Sequence, residues 1–159
     1  MSFRLAAAAA LGVLTVVPTA ASAQVLMQRD VSLRMALTIA EAALAECGTA
    51  TSVAIVDRAG RLRVFLQGDN ANPHNIELAR RKAYTARTFR QPSAAIVKRI
   101  QEEPAVAGFK EYTRVIALAG GLPIKVGDDV IGAVGVSGSP GKDDDCAQAG
   151  IDKVADQLK

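Results

Sequence analysis

Leu33, Leu37, Ala40, Leu44 and Cys47 recur at steps of 4, 3, 4 and 3, the spacing of one helical face. Ser32 stands ahead of them as an N-cap and Gly48 behind as a stop, so a helix is predicted up to Cys47. The pattern then turns extended. "TSVAIVD" (51–57) and "RLRVFLQ" (61–67) are joined by "RAG", in which Gly60 can take a positive φ. This predicts a β-hairpin. In the second run Leu62, Val64 and Leu66 face one way. Arg61, Arg63, Phe65 and Gln67 face the other, which leaves Phe65 on an otherwise polar face.

"GDNANPHN" (68–75) is turn chemistry. A helix is predicted from Ile76 to Arg90, broken by Gln91-Pro92, and a shorter one from Ser93 to Glu103, ended by Pro104. Three strands follow, at 113–119, 122–126 and 129–137, with turns at Gly120-Gly121 and Gly127-Asp128-Asp129. Asp143 is placed to N-cap a last helix whose apolar face is Ala147, Ile151, Val154 and Leu158. The predicted order is α-ββ-αα-βββ-α. Its short links between strands argue for an α+β domain with a five-stranded, mainly antiparallel sheet and helices packed on it.

The first 23 residues follow a different logic. Arg4 precedes an apolar run from Leu5 to Val17, then Pro18 and small residues ending in Ala21-Ser22-Ala23. This is the pattern of a cleaved secretory signal peptide, and the run is short for a membrane span of about 20 residues. A single domain is expected over 24–159, periplasmic or secreted and without stable membrane insertion. In that setting the two cysteines, Cys47 and Cys146, suggest a disulfide. Cys47 closes the first helix and Cys146 opens the last. If the two helices lie antiparallel on one sheet face, these ends meet.

Charge adds a polarity. The net charge is only +3, which does not by itself imply nucleic acid. Residues 77–99, however, carry seven cations against Glu77, and residues 128–156 carry seven Asp against two Lys. Unlike patches of this kind favour self-association.

Candidate chemistry centres on His74, the sole histidine. One His and two cysteines expected to be oxidised argue against a zinc site, and no C-x-x-C-H is present for covalent haem. "GVSGSPGK" (135–142) lacks the glycine and hydroxyl positions of a phosphate-binding P-loop, and no G-x-S-x-G marks a nucleophile. Its glycines and Ser137 still offer backbone N–H groups to an anion. Leu78, Lys82, Thr85 and Phe89 form one helical stripe, and Arg80, Tyr84 and Arg87 another. A lysine among partly apolar neighbours must snorkel outward or meet an anion.

"SVAIVDRAGRL", "ELARRKAYTARTF" and "GGLPIKVGDDVIGAVGVSGSPGKDDDCAQAGI" together resemble the signature blocks of the GlcG/HbpS family of haem-binding-like proteins. Asp57 and Gly60 match its hairpin. Lys82, Ala83, Thr85 and Ala86 match its "KA-x-TA" helix, and Phe89 the aromatic that follows. Gly120, Gly121 and Pro123 match "GG-x-P", and Gly132, Gly135, Ser137 and Gly138 match "G-x-x-G-x-SG". The resemblance implies a profilin-like α+β fold, oligomers, and haem as the ligand of exported members, some of them tied to sensing and some labelled haem-degrading. His74 lies outside these motifs.

The expectation is an exported, non-covalent haem-binding protein for capture, buffering or sensing, more a binder than an enzyme, with an unidentified sensor partner in the sensing case. His74 is the candidate axial ligand, with Tyr84, Tyr112, Met27 and Met35 as alternatives by chemistry. Lys82, Arg80 and Arg81 are candidates for the propionates, and Tyr84, Phe89, Ser137 and Gly138 for the rest of the site. With no Trp, four Phe and two Tyr, a shallow or subunit-interface site fits better than a deep pocket. The alternatives are a module for a small anionic ligand, a carboxylate held by Lys82 and the 135–139 loop, and a haem-degrading enzyme.

Overall fold

A computed structural model describes residues 24–159, so the predicted signal peptide lies outside the described residues. The elements are α1 (Leu33–Cys47), β1 (Ser52–Asp57), β2 (Leu62–Gln67), α2 (His74–Phe89), α3 (Ser93–Glu102), a 3₁₀ segment (Pro104–Glu111), β3 (Gly121–Val126), β4 (Asp129–Ser137), α4 (Asp143–Asp152) and a short 3₁₀ turn (Ala155–Gln157). No helix among the described residues is long and apolar enough to cross a membrane.

The strands form one antiparallel sheet in the order β2-β1-β4-β3. It has four strands, and the expected fifth, 113–119, is not in it. That segment spends its backbone groups on α2 instead. Ile116 N–H donates to Thr85 Oγ1 at 2.9 Å, and Arg81 Nη2 donates to the Val115 carbonyl at 2.6 Å. A β-rich composition predicted a strand where side chains of a helix supply the hydrogen-bond partners.

Both faces of the sheet are covered, which is why β1 is buried at all six positions. On one face Val53, Ile55, Val134 and Val136 meet Ile39, Ala40 and Ala43 of α1 and Ala147 of α4. On the other, Ala54, Val56 and Ala133 meet Ala79, Ala83 and Ala86 of α2. Phe65, which the alternation left among polar residues, packs against this second cluster. The buried face of α1 is also rotated from the predicted one. Ala36, Ile39, Ala40 and Ala43 are buried, whereas Leu33 and Leu37 are exposed. Small residues win this face because α4 comes close: a Cβ on Gly150 would lie 2.6 Å from the Ile39 carbonyl.

The hairpin behaves as its turn residues require. Asp57 Oδ1 accepts from the N–H groups of Ala59 and Arg61, both at 2.9 Å, and Gly60 sits at φ +74°. Cys47 and Cys146 are joined as a disulfide, with Cα atoms 5.8 Å apart across 99 positions of sequence. Reduction is expected to lower the unfolding free energy by about 2–4 kcal/mol. Urea unfolding with and without dithiothreitol measures this, and coincident curves would contradict it.

Candidate functional site

Two structural conditions bring the site together. The first is a close approach of α2 to β4. A Cβ on Gly135 would lie 2.1 Å from the Ala79 carbonyl oxygen and 2.4 Å from Ala83 N. The alanines of α2 therefore rest on a strand that has glycine where the backbones meet. The second is a buried ion pair. Lys82 is 4% exposed, and its Nζ donates to Asp143 Oδ2 at 2.8 Å and to the Val136 carbonyl at 2.9 Å. Asp143 Oδ1 accepts from Ser139 N–H at 2.9 Å. The lysine has met its anion, and the anion is the residue predicted as an N-cap. Lys142 takes the cap position instead, and Asp143 is the first residue of α4. Its carboxylate is drawn away from the helix end because an unpaired ammonium buried under β4 would cost more than an unfilled cap.

The neighbouring glycine is fitted to this pair. Gly120 has φ +112°, and a Cβ there would meet the Val136 carbonyl at 2.6 Å and Asp143 Cβ at 2.7 Å. Its N–H donates to Asp144 Oδ1 at 2.7 Å. The acidic start of α4 thus ties down both Lys82 and the segment entering β3.

Above this floor opens a cleft of about 500 Å³, within the usual size for a small-molecule site. His74, Leu78 and Lys82, at i, i+4 and i+8 of α2, form one side. Leu118 and Ala119 form another, and the loop from Ser137 to Gly141 a third. Ser137 Oγ donates to Asn75 Oδ1 at 3.2 Å, and Asn75 Nδ2 donates to the Ala50 carbonyl at 3.3 Å. His74 is exposed and is the first residue of α2, two positions earlier than the predicted start. The arrangement is an open cleft with apolar walls, one imidazole, and a polar floor in which Lys82 is paired with Asp143 while Asp144 accepts from Gly120 N–H. Among the described residues no three His, Cys, Asp or Glu side chains gather as a metal site.

Four of the predicted site residues, His74, Lys82, Ser137 and Gly138, therefore share this cleft. Arg80, Arg81 and Tyr84 line a separate, smaller depression. Phe89 packs on Phe109, with ring centroids 5.1 Å apart, and Phe109 on Tyr112 at 5.9 Å. Met27 is exposed ahead of α1, and Met35 packs against the core. Of the five residues considered as iron ligands, His74 lines the cleft and the other four do not. At the far end of α2, burial holds the Arg87 pKa below its ordinary value, with Arg58 and Arg90 adding to the effect.

Sequence reasoning missed Asn75, Leu118 and the pairing of Asp143. The last had a signal: a lysine on an apolar stripe needs an anion, and the only run of three acids in the chain is at 143–145.

The family model described as "Haem degrading protein HbpS-like" matches residues 31–152. A doubly substituted HbpS of Streptomyces reticuli is similar in structure, with 32% identity and a TM-score of 0.76 over 87% of this chain and 97% of that one. The Klebsiella pneumoniae protein ORFY, of the DUF336 family, gives 27% identity and a TM-score of 0.77 over 84% and 96% of the two chains. A PduOC:heme complex gives 25% identity and a TM-score of 0.72 over 78% and 94%.

Proposed function

The chain belongs to the HbpS-like family, and from that premise we propose that it is an exported protein that binds haem non-covalently in the α2 cleft, for capture, buffering or sensing. The observation that carries the reading is that the sole imidazole lines a cleft whose walls include Leu78, Leu118, Ala119 and Pro140. A porphyrin presents two apolar faces and an iron that takes an imidazole nitrogen as axial ligand. These residues fit an open site with one protein ligand. The similar PduOC protein, crystallised as a heme complex, supports the choice of ligand. Export is supported by the signal-like N-terminus and by the disulfide. Assembly into a homo-oligomer and a sensor partner belong to the same proposal.

Each group in the cleft then has a task. His74 holds the iron. Leu78 and Leu118 shield the macrocycle from water on its apolar faces. Lys82 and Asp143 neutralise one another, so their work is to tie α2 to the end of β4 and the start of α4 and so fix the floor of the cleft. Two of the three Lys82 N–H donors are already used. Lys82 would accordingly serve the frame of the cleft and not the propionates. Bound haem would supply a redox-active iron.

This floor weakens the small-carboxylate reading, because it sets Asp143 and Asp144 against one ammonium, and an added anion would compete with Asp143 for it. Haemin titration followed by ascorbate and oxygen distinguishes the readings. A saturable shifted Soret band that persists through the reductant is expected. Loss of the band with an organic product would make the protein a haem-degrading enzyme. Absence of the band, with small carboxylates raising the unfolding midpoint, would make it a carboxylate module.

A further inference from the structure

The second depression, on the other side of α2, holds a concentration of positive charge that haem binding in the cleft leaves unused. Arg80, Arg81 and Arg114 line it together with Tyr84, and Glu77 is the one acid among its lining residues. The volume is about 40 Å³, too small for a drug-sized ligand and enough for a compact polyatomic ion. Three further features set it apart from a solvated arginine face. Arg81 is anchored, its Nη2 donating to the Val115 carbonyl, while its Nε is buried without a hydrogen-bond partner. Arg114 stands at φ +69°, a left-handed conformation uncommon for arginine, and its guanidinium is held 4.8 Å from the centroid of the Tyr84 ring. The Tyr84 ring in turn abuts Gly60, where a Cβ would lie 2.9 Å from it. Strained backbone persists where surrounding contacts over-determine it, and ligand clamps are one such place.

We propose that this depression is an oxyanion site, which takes a group of phosphate or sulfate size, free or at the end of a larger molecule, on the guanidinium groups of Arg80, Arg81 and Arg114. Planar guanidinium groups match tetrahedral oxyanions through paired N–H donors. The ion displaces Glu77 from Arg80, an exposed pair at 3.2 Å of the kind that contributes little to stability.

The test is calorimetric titration of the purified protein with sodium phosphate in a constant sodium chloride background, beside an Arg114→Gly variant. Glycine suits the positive φ and removes the guanidinium, so the variant should unfold at or above the original midpoint. One saturable phosphate per chain, weakened about tenfold or more in the variant, is expected. Phenyl phosphate in a second arm decides the source: tighter binding than phosphate points to a phosphorylated molecule, weaker binding to the free ion. Equal binding in both proteins, or heat without saturation, would overturn the site.

Discussion

Replacing Asp143 by alanine is expected to destabilise the protein by about 3–5 kcal/mol, because it leaves the Lys82 ammonium buried without its counter-ion. Lys82 and Asp143 side chains are 4% and 11% exposed, so water cannot take over the role of the carboxylate. The same change removes the acceptor of Ser139 N–H and loosens the loop that walls the cleft. Lys82→Ala should be of similar size, since it leaves the Asp143 carboxylate with Ser139 N–H alone and removes a buried stem. A Lys82→Met, Asp143→Leu double variant should recover most of the loss, as apolar replacements of buried pairs often do. The large effect therefore belongs to breaking the pair, not to its net contribution. Urea unfolding of the four proteins measures each value. A loss below about 1 kcal/mol for Asp143→Ala would match an exposed pair and contradict the burial described here.

Gly135→Ala is expected to be similarly severe. The added methyl would lie 2.1 Å from the Ala79 carbonyl oxygen and 2.4 Å from Ala83 N. Both are backbone atoms of α2, which cannot swing aside as a side chain does. Overpacking of a core commonly costs about 1–3 kcal/mol, and this clash against backbone lies at or beyond the upper end. The structural response is displacement of α2 from β4, and α2 carries His74, Leu78 and Lys82. Gly135→Ala should thus lower the unfolding midpoint and disrupt the cleft together. A control is Gly127→Ala, where no atom lies within 4 Å of the new Cβ and the cost comes from φ +59° alone. An unchanged midpoint in Gly135→Ala would mean that α2 does not sit on β4 as closely as described.

The fold was legible wherever local chemistry and packing agree. Ser32, Gly48, Gly60 and Pro104 mark boundaries because each satisfies or removes a specific backbone group, and all four fall where expected. The disulfide was legible from two helix ends. The missing fifth strand was not, because the segment at 113–119 has strand-like composition while its hydrogen-bond partners are Thr85 and Arg81, about 30 positions earlier in the chain. The buried side of α1 was misread for a related reason. Period fixes a stripe, but Gly150 of α4 decides which stripe can approach. In the site, the stripe rule put Leu78 and Lys82 on one side of α2 and Arg80 and Tyr84 on another, as found. It left His74 in the preceding loop, because the helix begins two positions earlier than its turn-like residues suggest, and it could not say that Lys82 is already matched by Asp143. Residues of the family's "KA-x-TA" and "G-x-x-G-x-SG" patterns prove to be the contact between α2 and β4 and the floor of the cleft. Their role is to hold the frame, while the imidazole at its edge lies outside those patterns.

The central claim, that His74 in the α2 cleft is the haem ligand, is tested most directly by absorbance titration with haemin of three proteins: the original, His74→Ala and Arg80→Ala. The expected result is a saturable Soret shift in the original and in Arg80→Ala, and in His74→Ala an affinity lower by about tenfold or more with an altered band. Equal titrations in the original and His74→Ala, or a loss confined to Arg80→Ala, would move haem out of this cleft.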